Sequence, residues 1–154
     1  MRQDQRHAGD LQDQPAQLLN RTMQSGKNEL AATLVRSVGR LRLAVLGSSM
    51  LPAIQPRDLL LVRRCGTQAA RVGDVVLFTR DERLFAHRVV STDGKVIVTR
   101  GDALATTDDP IGNTELLGRV ERVVRRGRVF RPRPPRLRGS WAVRLHRLSA
   151  RFGW

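Results

Sequence analysis

Between Leu41 and Val124 the chain is built from short apolar runs, separated by Gly, Asp and other turn residues. Leu41, Leu43 and Val45 alternate with Arg42 and Ala44, the period of a strand with one buried face. The runs Leu59–Val62, Val75–Phe78, Leu84–Val90, Val96–Val98 and Leu116–Val124 follow at short intervals. Asp93-Gly94 separates two of them and predicts a hairpin, because glycine supplies the positive φ such turns need. Short strands with turn residues between them predict a mainly β fold, an antiparallel sheet or barrel. No internal repeat is visible.

The flanks differ from this centre. Residues 1–28 are rich in Gln and Asp and read as a disordered or loosely helical polar arm. From Glu29 to Arg40, Leu30, Leu34, Val35 and Val38 suit a short amphipathic helix. Arg131-Pro132-Arg133-Pro134-Pro135 reads as an extended spacer. Beyond it Trp141, Leu145, Leu148 and Phe152 mark one helical stripe, with Arg144, Arg147 and Arg151 beside it. The expected organisation is therefore an arm over 1–28, a β-rich domain over 29–130, and a spacer with a basic amphipathic helix over 131–154. Short helices flank the sheet at both ends.

A chain of 154 residues with 40 % hydrophobic content has material for one core. Its longest uncharged stretch, Leu43 to Pro56, contains two serines, a glutamine and two prolines. A membrane span needs about 20 mostly apolar residues, so none is expected, nor is a secretory leader. That leaves a cytoplasmic location or a peripheral one at a membrane. A single cysteine, Cys65, excludes an internal disulfide and a cysteine-based metal cluster. No cofactor is expected.

The net charge of +14 is unevenly placed. From Arg119 onward there are 12 basic residues and one acid, Glu121, whereas the first 118 residues hold 16 basic and 13 acidic. The excess charge belongs to the C-terminal end. It would suit nucleic acid through phosphate neutralisation. Aromatic residues are only 4 % of the chain, however, and tyrosine is absent, so stacking platforms are scarce. The 141–154 stripe fits an anionic membrane surface better than it fits nucleic acid, and it fits equally well docked on the protein's own sheet.

Few residues can do chemistry. Gly47-Ser48-Ser49-Met50-Leu51-Pro52 ends the first strand, where a tight turn can expose a hydroxyl. A serine there becomes a nucleophile only with a base in hydrogen-bond reach. His7 and His146 fall in the flanks, which leaves His87 as the histidine of the sheet region. Its ordinary pKa of about 6.5 suits proton transfer. Asp102, Asp108 and Asp109 could orient an imidazole, or form a solvated loop. Asp-only ligands without calcium-loop spacing are weak grounds for a metal site, and none is assigned.

Taken in order, Ser49-Met50-Leu51-Pro52, Gly73-Asp74-Val75-Val76, His87-Arg88-Val89-Val90, Thr99-Arg100-Gly101-Asp102 and Asp108-Asp109 resemble the successive boxes of the type I signal peptidases. Leu117-Gly118-Arg119-Val120 resembles the strand that follows, so the likeness covers roughly Leu41 to Val124. Housekeeping bacterial members and self-cleaving SOS-type repressors use a lysine base. Here the matching position is His87, and Lys95 stands outside the box, which is similar to the archaeal and endoplasmic-reticulum subtype. The resemblance implies Ser49 as nucleophile and oxyanion-donating amide, His87 as general base, and Asp108 or Asp109 as the orienting acid. It implies Asp102 as a supporting residue and Met50 and Pro52 as substrate contacts.

Three departures accompany the likeness. Gly47 replaces a serine that assists the oxyanion, and Ser48 replaces a glycine. No anchoring helix precedes the Ser box. The segment between the His and Asp boxes is short. The implied function is a serine endopeptidase cutting a leader, signal or propeptide bound as an added strand. Self-cleavage, for instance at Ala8-Gly9, a catalytically silent relative, and an Arg-rich binder of membrane or nucleic acid are the alternatives.

Overall fold

The computed structural model describes residues 14–134, with side chains described over 26–134. The fold is mainly β: one helix, α1 (Gln14–Val38), then strands β1 (Arg40–Ala44), β2 (Leu59–Arg64), β3 (Val75–Arg80), β4 (Arg83–Thr92), β5 (Ile97–Arg100), β6 (Leu116–Arg125) and β7 (Arg128–Phe130). All strand pairs are antiparallel, in the order β1-β2-β6-β3-β4-β5, with β7 also on β6. The long β6 is the spine. It pairs with β2 along its length, while β3 and β7 pair with its first and second halves.

Strand alternation divides the apolar residues between two cores. On one face, Leu60, Val62, Val75, Leu77, Val120 and Val123 pack with Ala32 and Val35 of α1. On the other, Val76, Phe78, Val89, Ile97 and Ile111 close a second cluster. The four buried residues Val75–Phe78 feed both, which explains why β3 is an unbroken apolar run rather than an alternating one. Two register shifts on β6, opposite Leu61/Val62 and Leu77/Phe78, interrupt its ladders; such bulges increase local twist.

One expectation changes at the N-terminal side. The helix expected from Glu29 is one continuous helix from Gln14, so no arm-to-helix break falls at residue 28. Its C-terminal half is held by tertiary packing: Ala31, Ala32 and Val35 are buried, and Asn28 donates to the Glu82 carbonyl of the β3–β4 turn. The short β7, unforeseen, forms because Arg126-Gly127 adopt positive φ and turn the chain back on β6. The 141–154 helix and Ala8-Gly9 lie outside the described residues. No helix among the described residues is long and apolar enough to cross a membrane.

Candidate active site

The loop between β1 and β2 carries Ser49, and its shape follows from Asp58. This buried carboxylate accepts the Gln55 amide at 2.8 Å and a forked pair of bonds from Arg125 at 2.8 and 2.7 Å. Burial alone would raise the Asp58 pKa; the Arg125 and Gln55 hydrogen bonds and the Arg125 charge together bring it below the ordinary aspartate value. Arg125 also donates to the Ala53 carbonyl. Met50 and Ile54 are then buried in the α1-side core, and the turn that they pin holds Ser49 half-exposed.

The second wall is the loop after β5. Its Ala103 amide donates to the Ser49 carbonyl at 2.9 Å, and the Asp102 amide meets the Met50 sulfur at 3.4 Å. Gly101 makes this approach possible, because a Cβ there would lie 2.6 Å from the Ser49 carbonyl oxygen. Glycine is required here for lack of volume rather than for φ.

These walls bring Ser49 to His87. Ser49 Oγ lies 3.0 Å from His87 Nε2, and His87 Nδ1 lies 2.7 Å from Asp108 Oδ2. A carboxylate on Nδ1 selects the tautomer with its proton on that nitrogen, so Nε2 accepts the serine hydroxyl. His87 is 4 % exposed and sits against the rings of Phe78 and Phe85, with centroids 5.9 Å away in each case. The imidazole is thus fixed on two sides by aromatic packing and at both nitrogens by hydrogen bonds.

Thr99 completes the line. Its hydroxyl donates to the same Asp108 Oδ2 at 2.6 Å, and its carbonyl accepts the Asp108 amide at 2.8 Å. Thr99 is fully buried on β5, two residues from buried Ile97. The motifs assign its hydroxyl no role; an inward-facing threonine in an alternating strand is the signal for one.

The remaining candidates are placed as follows. Asp109 is exposed, and it is its carbonyl that is used, accepting from Arg80 at 3.3 Å. Arg80 also grips Glu115 through two donors at 2.9 and 2.7 Å, clamping the acidic loop. Desolvation works against ionised Glu115, but the Arg80 and Gly112 hydrogen bonds and the Arg80 charge leave its pKa lowered. Asp102 does not reach His87. It forms a forked ion pair with Arg88 at 2.8 and 2.7 Å, both side chains under a tenth exposed. Arg88 then donates to the carbonyls of Gly73, Pro132 and Arg133, tying the start of the spacer to the loop that seats Ser49. Met50 points into the core rather than toward a substrate, whereas Pro52 is exposed. Lys95 is exposed in the β4–β5 turn, its amide bound by Asp93. Among the described residues the Ser49 amide has no backbone hydrogen-bond acceptor. His7 and His146 lie outside the described residues.

A hydroxyl, an imidazole and a carboxylate in this order can move a proton away from serine while an adjacent carbonyl is attacked. A family-model comparison matches residues 12–120 to the peptidase S24-like family. The chain belongs to that family, within the superfamily of signal peptidases and self-cleaving repressors. A comparison with curated proteins finds no match.

Proposed function

We propose that this chain is a serine endopeptidase that hydrolyses a leader, signal or propeptide bond with Ser49 as nucleophile and His87 as general base. The observation that carries the reading is the unbroken Ser49–His87–Asp108 line at 3.0 and 2.7 Å. His87 takes the hydroxyl proton as Ser49 Oγ attacks the scissile carbonyl, and returns it to the leaving amine. Asp108 holds the imidazole in its Nδ1-protonated form and stabilises the imidazolium. The unpaired Ser49 amide is the oxyanion donor; such donors contribute about 3–4 kcal/mol in comparable sites. Water, activated by the same imidazole, then releases the acyl group from Ser49.

Within the superfamily this is the Ser-His form, similar to the archaeal and endoplasmic-reticulum signal peptidases, rather than the Ser-Lys form. The position of Lys95 in an exposed turn supports that choice, and so does the burial of His87 against two aromatic rings. The test is cleavage of a panel of leader-bearing peptides by the full chain, with products located by mass spectrometry. Wild type should cut, and Ser49→Ala and His87→Ala should not. Cleavage that persists in both variants defeats the mechanism.

A further inference from the structure

On the face of the sheet opposite α1, the described residues form an apolar cluster at one end. Phe78, Val89 and Ile97 close it over β3, β4 and β5. Over β1, β2 and β6 the same face carries arginine. Register places Arg40 opposite Arg63 and Arg63 opposite Arg119, and it places Arg42 opposite Leu61 and Leu61 opposite Arg122. Two rows therefore run across three strands, one all arginine and one arginine–leucine–arginine. Carboxylates offset them poorly. Glu121 lies 3.6 Å from Arg63 and Asp74 lies 3.4 Å from Arg119. Arg40 and Arg42, both exposed, have no ion pair among the described residues. A depression of about 410 Å³ lies here, lined by Arg40, Arg42, Leu61 and Glu121 among others.

The location is informative. β1 ends the sheet, so its outer edge pairs with no other described strand. It is also the strand that leads into Ser49, seven residues beyond Arg42. An extended peptide added to this edge places alternate side chains beside Arg40 and Arg42, with Cβ atoms about 5 Å apart. An apolar or basic side chain there would leave the guanidinium groups uncompensated, and a carboxylate would pair with them.

We infer that the β1 edge and its arginine face select an acidic segment of the substrate, with Asp or Glu at alternate positions on one side of the cleaved bond. This rests on the peptidase reading for its purpose, but its binding can be measured without catalysis. A flat basic face would also attract a membrane or a nucleic acid. The free strand edge running into the Ser49 loop favours a peptide, because it offers backbone hydrogen bonds that those partners cannot use.

The experiment uses full-length Ser49→Ala protein and fluorescein-labelled twelve-residue peptides in fluorescence anisotropy at low salt. One peptide carries Asp at alternate positions, one carries Asn in their place, and one carries the same number of Asp residues clustered at one end. The alternating Asp peptide should bind at least tenfold more tightly than the Asn peptide and more tightly than the clustered one. Arg40→Gln with Arg42→Gln should abolish the preference, while Arg83→Gln on β4 should keep it. If the double variant is poorly folded, the charge swap Arg40→Glu with Arg42→Glu provides the second reading, since it should prefer a lysine peptide. Equal binding of Asp and Asn peptides overturns the inference, as does a preference that survives loss of both arginines. Tighter capture of duplex DNA or of phosphatidylglycerol vesicles through the same two arginines overturns the choice of a peptide. Failure of wild type to cut any peptide would remove the peptidase reading but would leave this affinity comparison intact.

Discussion

Gly101→Ala tests how tightly Ser49 is held by its neighbouring loop. The added Cβ would lie 2.6 Å from the Ser49 carbonyl oxygen and 2.9 Å from the Leu104 side chain. Leu104 is partly exposed and can rotate away, but the carbonyl is backbone and must move. Ordinary contact begins at 3.4 Å, so the two loops must part by about 0.8 Å. The Ala103–Ser49 hydrogen bond resists that movement and is lengthened or lost. The same displacement, applied to the 3.0 Å gap between Ser49 Oγ and His87 Nε2, takes it out of hydrogen-bond range. A misplacement of this size costs about a hundredfold in rate. Overpacking should cost about 1–3 kcal/mol of stability. The assay is kcat/KM on the best cleaved peptide, with a thermal melt and hydrogen exchange over 48–51 and 101–104 on the same preparation. A roughly hundredfold fall in kcat, KM little changed, and faster exchange in both segments are expected. Retention of kcat within twofold, with unchanged exchange, would refute the claim that Gly101 sets the position of Ser49.

Four further outcomes follow from the site. Asp108→Asn should lower kcat by about three to four orders of magnitude through loss of the correct tautomer, whereas Asp109→Asn should stay close to wild type; the reverse ranking would assign the orienting role to Asp109. Arg88→Met leaves Asp102 buried without its partner and should cost about 3–5 kcal/mol in chemical denaturation, so a loss below 1 kcal/mol would discount that pair as a support. The Asp58 pKa is lowered on folding, so its contribution is present above the unfolded value of about 3.9 and is lost as pH falls through the folded one. Asp58→Asn should therefore lower the melting temperature at neutral pH and flatten its decline below about pH 4, and parallel pH curves for the two proteins would contradict the assignment. At Gly47 nothing lies within 4 Å of an added Cβ, so Gly47→Ser is sterically free. Its hydroxyl should raise kcat by up to about tenfold if it reaches the oxyanion, and an unchanged kcat would leave the Ser49 amide as the working donor.

The sheet was legible because its signals are local. Leu41, Leu43 and Val45 alternate within one strand, and Asp93-Gly94 writes its own turn, with Gly94 at φ +87 and the Asp93 carboxylate accepting from the Lys95 and Val96 amides. The start of α1 was not legible. Its N-terminal half has few apolar residues, and the Ala32 and Val35 packing that anchors the helix lies in the other half. The resemblance to signal peptidases brought Ser49 and His87 forward, but it could not rank the two aspartates. That choice is made by backbone pairing. The Asp108 amide bonds the Thr99 carbonyl, which fixes the residue beside β5 and aims its side chain at His87; Asp109, one residue further, is drawn outward by Arg80.

Asp102 shows why a carboxylate near the Ser49 loop need not act on the histidine. It lies three residues after Thr99, yet its side chain turns to Arg88, on the strand position next to His87. Adjacent residues of a strand face opposite sides. His87 therefore points to Ser49 and Asp108, and Arg88 points away to Asp102 and the carbonyls of Pro132 and Arg133. The one strand segment thus separates two charge systems. One positions the imidazole, and the other locks together β4, the Ser49-bearing loop's support and the first residues of the spacer. A mutation in the second system should act on stability and on the placement of Ser49. Asp102→Asn should accordingly lower the melting temperature and kcat together. A fall in kcat with an unchanged melting temperature would mean that Asp102 acts on the imidazole directly.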